Sequence, residues 1–134
     1  MIPPRCAPQV YAIFRMVFGL LFLMHGLQKL AAMFGGMPGF AGPVPFGSLL
    51  GVGGVIECVS GPLIMLGLFT SPAAFVASGM MAVAYFTQHF PRAPWPIMNG
   101  GEPAVMNCFA FLYIATYGSG IWSVDAVRRR GRSG

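Results

Sequence analysis

Apolar residues run almost unbroken through four stretches of the chain, with segments dense in Gly and Pro between some of them. The first stretch, residues 10–31 (VYAIFRMVFGLLFLMHGLQKLA), is long enough to cross a bilayer as a helix. About 20 residues at ~1.5 Å each cover the ~30 Å hydrocarbon core. It nevertheless carries Arg15, His25, Gln28 and Lys29. At ~100° per residue, Arg15, His25 and Lys29 fall within roughly an 80° arc, on the side that also holds Gly19, Phe22 and Gly26. The opposite side is Val, Leu, Phe and Met. Charge facing lipid is costly, so this polar stripe is expected to meet other protein segments or line a wet cavity.

The same pattern predicts three further helices. Residues 32–46, AMFGGMPGFAGPVPF, are uncharged and too rich in Gly and Pro for a regular helix. They read as an interfacial or re-entrant loop with Phe34, Phe40 and Phe46 turned toward lipid. A second helix is expected over 47–69, with Gly47, Gly54 and Gly61 recurring every seven residues as a close-packed seam. Gly61-Pro62 predicts a kink in it. Thr70-Ser71-Pro72 forms a tight link into a third helix, 72–90, with Pro72 at its first position. Residues 91–101, PRAPWPIMNGG, make a second Pro/Gly-rich loop with Trp95 at the interface. A fourth helix runs over 102–122, opened by Glu102 and Pro103. The fold class is therefore all-α integral membrane: one domain over 1–134, a bundle of four transmembrane helices, with two Gly/Pro-rich loops on the outer side, periplasmic if the membrane is the bacterial one that the resemblance below implies.

Composition supports the membrane assignment. Hydrophobic residues make up 56% of the 134 and charged residues only 8%, where a soluble domain is nearer a quarter charged. The net charge of +5 does not imply nucleic acid, because four of the eight basic residues crowd into the last seven positions, RRRGRSG. That tail reads as a topology signal and a contact with the membrane surface. Arg5 and Arg15 lie toward the same side, which puts both termini in the cytoplasm and the loops outside. No secretory signal peptide is expected, since the first apolar run holds internal charges and lacks a small-residue cleavage site. Cys6, Cys58 and Cys108 show no CxxC spacing and form no disulfide framework. The residues show no zinc-site spacing, Walker loop, nucleophile elbow or dinucleotide fingerprint, so no metal, haem or nucleotide is expected.

This topology gathers polar groups from every helix into one half of the bundle. His25 and Lys29 lie near the outer end of the first helix. Glu57 lies ~15 Å into the second from the same side. Gln88 and His89 close the third helix there, and Glu102 and Asn107 open the fourth. Arg15 belongs nearer the inner face, above Asp125. Glu57 is the most informative of these, because a carboxylate near mid-membrane must be neutral or matched by a cation. Lys29 and His25 are the partners expected for it. The candidates for ligand or proton handling are Arg15, His25, Lys29, Glu57, His89, Glu102 and Asn107. A structural ion pair fixing the first helix against the second accounts for the same residues.

The ordered set Arg15, Gly19, Phe22, His25-Gly26 and Lys29, then Gly35-Gly36, Glu57, Gly61 and Leu66-Gly67-Leu68-Phe69-Thr70, resembles the DoxX family of small four-helix membrane proteins. Asn99-Gly100-Gly101-Glu102 and Tyr117-Gly118, Gly120, Trp122-Ser123 and Asp125 continue the resemblance, which covers about residues 12–125. It implies a bundle in the bacterial cytoplasmic membrane associated with quinone-linked redox chemistry. On that basis a quinone is the expected cofactor and a larger membrane redox complex the expected partner, beside membrane lipid. The chain offers no thiol pair or soluble sulfur-handling domain for an autonomous oxidase. Two other readings stay open: a purely structural accessory subunit, and a small transporter or proton conductor using the Arg15-to-Lys29 stripe.

Overall fold

A computed structural model describes residues 3–132. Met1 and Ile2 of the lead-in and Ser133 and Gly134 of the basic tail lie outside the described residues. Helix α1 covers Ala7–Leu30, α2 Leu49–Leu66 and α3 Thr70–Ala84. A single turn α4, Pro96–Asn99, precedes α5, Glu102–Tyr117, and α6, Val124–Arg132, follows it. The described residues contain helices, turns and loops and no strand. α1 and α2 are long and apolar enough to cross a membrane. α1 packs along α2, α3 along α5, and the two pairs meet chiefly where α2 contacts α3.

The boundaries follow local chemistry. α1 starts earlier than its apolar run, with Pro8 in its first turn where no backbone donor is needed. α2 starts at Leu49 rather than Gly47 because the Ser48 Oγ accepts the Gly51 amide at 3.0 Å. It ends at Leu66 in a Schellman arrangement: the Leu68 amide donates to the Leu63 carbonyl at 2.9 Å and the Gly67 amide to Ile64 at 3.2 Å, with Gly67 left-handed at φ 72°. Pro62 sits inside an otherwise continuous α2. α3 begins two residues before Pro72, directly after Phe69 at φ 48°. α5 stops at Tyr117, short of Trp122, because Gly118 (φ 88°), Gly120 (φ 63°) and Trp122 itself (φ 51°) take the left-handed region. The basic tail then forms a helix of its own, α6.

Glycines bring α1 and α2 together. A Cβ on Gly61 would lie 2.7 Å from the Leu23 amide nitrogen and 2.9 Å from the Gly19 carbonyl, and one on Gly26 2.8 Å from the Cys58 nitrogen. The seam thus pairs Gly54 and Gly61 of α2 with Gly26 and Gly19 of α1. Gly47 takes no part in it; its surroundings are open. Gly61→Val is expected to lower stability by about 1–3 kcal/mol or more, because backbone atoms must separate to admit the side chain. Thermal unfolding of the purified protein checks this; an unchanged midpoint contradicts it.

The core lies where the pairs meet. Phe22, Ile64, Phe111 and Ile114 are essentially without solvent exposure, and Ala73, Ala74 and Ala77 keep α3 close to its neighbours. The Ser78 hydroxyl of α3 donates to the Cys108 carbonyl of α5 at 2.8 Å, satisfying itself inside the bundle. Large apolar residues such as Leu20, Val59, Phe75, Phe86 and Phe109 point outward, the surface expected of a protein solvated by lipid.

Candidate functional site

The polar groups collect at the end of the bundle where α1 finishes and α2 begins. Lys29 lies in the last turn of α1, and its Nζ donates to Glu57 Oε1 at 2.5 Å. The side chains are 12% and 2% exposed, so the pair is a buried ion pair between α1 and α2. The seam explains the approach: the position a Cβ would occupy on Gly54 is 3.2 Å from Lys29 Cβ. The second carboxylate oxygen, Oε2, is buried and has no hydrogen-bond partner.

The pair borders a cavity of about 590 Å³. Glu57, Lys29, Gln28 and His25 line it from α1 and α2, Gln88 and His89 from the end of α3, and Asn107 from α5. That volume falls in the ordinary range for small-molecule sites. The loop after α1 forms one wall through Met37, Pro38 and Phe40. It is held there by the Val44 amide donating to the Lys29 carbonyl at 2.8 Å and by Gln28 Nε2 donating to the Gly36 carbonyl at 3.1 Å. The loop expected to lie at the interface is therefore part of the cavity, and Phe34, Phe40 and Phe46 are exposed.

α3 widens at its end. Tyr85–His89 is a π-helical turn, closed by the Phe90 amide on the Tyr85 carbonyl at 2.9 Å, the kind of local widening found often at functional sites. Gln88 and His89 both reach the cavity wall from it. His89 Nδ1 lies 3.2 Å from the Asn99 carbonyl. A carbonyl only accepts, so Nδ1 carries the proton and Nε2 is left for other partners. Asn99 is 5% exposed and organises the loop: its Nδ2 donates to the Ala93 carbonyl at 2.8 Å and to Tyr85 Oη at 3.3 Å, and its Oδ1 accepts the Gly101 amide at 2.7 Å.

Two of the sequence candidates stand apart. Glu102 is solvent-exposed at the start of α5 and does not line the cavity. Arg15 is fully buried near the opposite end, where its Nη1 donates to the Ile64 and Met65 carbonyls at 2.6 and 2.8 Å and its Nη2 to the Trp122 carbonyl at 2.8 Å. It caps the C-terminus of α2, where a cation matches the helix dipole. The polar stripe of α1 therefore serves two ends of the bundle. His25 lines the cavity but forms no ion pair with Glu57, so Lys29 alone takes that role among the described residues.

Sequence reasoning did not name as site candidates Arg92, which also lines the cavity, or Asn99, which it quoted only in the family resemblance. Arg92 is an isolated base three residues beyond His89, a usable signal in a loop otherwise free of charge. Asn99 opens the Asn99-Gly100-Gly101-Glu102 run of the resemblance, which did not say that its side chain holds the loop.

A family model described as DoxX matches residues 10–90, which contain α1 from Val10 onward, α2, α3 and its π turn. The chain belongs to the DoxX family. Lys29, Glu57, Gln88 and His89 fall inside the matched region of this DoxX protein, whereas Asn107 and the α6 segment fall outside it. A protein of Haemophilus influenzae, named only as an uncharacterized protein, is 40% identical over 121 residues, covering 88% of this chain and 90% of its own. No solved structure matches significantly. Family membership together with the two long apolar helices makes this an all-helical membrane protein.

Proposed function

We propose that this DoxX protein is a four-span subunit of the bacterial cytoplasmic membrane that holds the polar head of a membrane quinone in the cavity beside Lys29 and Glu57, in the service of a larger redox complex. The observation that carries the reading is the buried Glu57 Oε2, left without a partner next to a cavity lined by hydrogen-bonding side chains. A self-contained structural ion pair would be expected to satisfy both oxygens, since a buried unpaired acceptor costs about 1–3 kcal/mol. In this reading α3, with its π turn, and α5 cross the bilayer beside α1 and α2. The basic residues of α6 lie on the cytoplasmic side, and the cavity opens in the periplasmic half.

A bound quinone supplies two-electron, two-proton carrier chemistry. The residues of this chain fit the head's needs. Lys29 Nζ has donors left after Glu57 and offers them to a carbonyl oxygen, as do the amides of Gln88 and Asn107. His89, held through Nδ1 by the Asn99 carbonyl, presents Nε2 to take or hold a proton. Glu57 Oε2 is the second proton-holding atom, and Lys29 keeps the carboxylate charge tolerable in a low-dielectric site. Arg92 and His25 complete the cavity lining.

The test is the quinone content of protein purified from gently solubilised membranes, wild type against Glu57→Gln. Wild type is expected to retain a stoichiometric quinone. The variant keeps the shape but loses the acceptor charge, and its retention is expected to fall about ten-fold or more, a change of ~1.4 kcal/mol. Wild-type protein free of quinone would rule the reading out.

A further inference from the structure

A second cavity, of about 300 Å³, runs between α2 and α3 and is almost wholly apolar. Val52, Gly53 and Ile56 line it from α2 and Val76, Met80 and Val83 from α3. Val52, Val76 and Val83 are each about half exposed, at 49%, 50% and 51%, so the groove opens on the outward apolar face of the bundle. Gly53 keeps it open: a Cβ there would rest 3.5 Å from Met80 Cε, and any larger side chain would enter the groove.

The groove is not separate from the polar cavity. Lys29, Leu50, Met81, Ala84 and Gln88 line both. Lys29 divides its side chain between them: its stem is apolar, while its ammonium group meets Glu57. From Val76 to Gln88 the groove extends roughly 18 Å along α3 at ~1.5 Å per residue. A narrow apolar channel joined to a polar pocket matches a molecule with one polar head and one extended apolar chain.

We propose that the α2–α3 groove is a lateral portal from the bilayer, and that it holds the isoprenoid tail of the quinone whose head occupies the Lys29–Glu57 cavity. This rests on the quinone reading above. It adds that the ligand enters sideways from lipid, between the two helix pairs where α2 meets α3, rather than from the aqueous side. Gly53 and the valines set the width of the portal, and so which tails pass.

The test compares retention of two benzoquinones with the same ring, one carrying a long isoprenoid tail and one carrying none, by immobilised protein in nanodiscs. Gly53→Phe and Val83→Trp each place an aromatic ring in the groove without altering a head-cavity residue. Val83 is half exposed, so its variant keeps the test usable where Gly53→Phe fails to fold. Wild type is expected to retain the tailed quinone at least about ten-fold better than the tail-less one, relative to their concentrations in the bilayer. Both variants are expected to lose that preference while holding the tail-less quinone as wild type does. Unchanged preference in a folded variant overturns the portal and leaves the quinone site standing. Absence of retention of either quinone by wild type overturns both. A phospholipid bound by wild type, lost from both variants and not displaced by the tailed quinone, assigns the groove to lipid and overturns the proposal.

Discussion

Lys29→Met is expected to lower the stability of the protein by about 3–5 kcal/mol, the cost of breaking a buried ion pair from one side. The Glu57 side chain is only 2% exposed, and Lys29 is the cation that meets it, so the substitution strands a carboxylate with neither oxygen partnered. The remedy is specific. Adding Glu57→Gln to Lys29→Met removes the stranded charge and is expected to recover most of the loss, so the two changes are strongly non-additive. Glu57→Gln alone is milder, because Lys29 is 12% exposed and its long stem lets the ammonium group move toward the cavity. Unfolding of the purified single and double variants in graded denaturing detergent measures the coupling. Additive losses would mean that the pair does not form.

Arg15→Leu is the second large effect, at the other end of the bundle. Three carbonyls, those of Ile64, Met65 and Trp122, lose their guanidinium donors together. At about 1–3 kcal/mol for a buried group left unsatisfied, the loss is expected to reach about 3–5 kcal/mol. Arg15→Lys recovers only part, because one ammonium group cannot reproduce a planar fork reaching two chain segments. The damage is local. Arg15 ties the end of α2 to Trp122, and the Asp125 amide donates to the Gly67 carbonyl at 3.0 Å beside it. Hydrogen exchange at Leu68 and Asp125 is therefore expected to accelerate in Arg15→Leu, while amides near Glu57 in α2 change little. Uniform acceleration along α2 would instead indicate that Arg15 supports the whole bundle.

How much of this was legible in the sequence depends on the physics at each position. The helical fold was visible because apolar runs of membrane length leave little else for the backbone to do. That a cation of α1 meets Glu57 followed from depth, since an unpaired carboxylate is untenable there, but depth did not choose Lys29 over His25. Arg15 was harder. Helical angle places it on the stripe with Lys29, but angle does not say what each end of a stripe touches, and its partners are carbonyls that sequence does not mark. The π turn at Tyr85–His89 left no pattern in the sequence, and its ties to Asn99 through Tyr85 and His89 are contacts across a loop that spacing does not reveal. The ends of α2 and α5 were overrun because Leu and Trp continue the apolar pattern past glycines that stop the helix. The groove between α2 and α3 is likewise a product of packing, with Gly53 its one trace in the sequence.

Photo-crosslinking with a quinone bearing the reactive group on its ring tests the central claim most directly, with labelled peptides mapped by mass spectrometry in wild type and Glu57→Gln. The expected result is labelling confined to the segments around Lys29, Glu57 and Gln88–His89, suppressed by excess unlabelled quinone and sharply reduced in the variant. Labelling spread over the outward faces of the helices, indifferent to competitor and to Glu57→Gln, would contradict it.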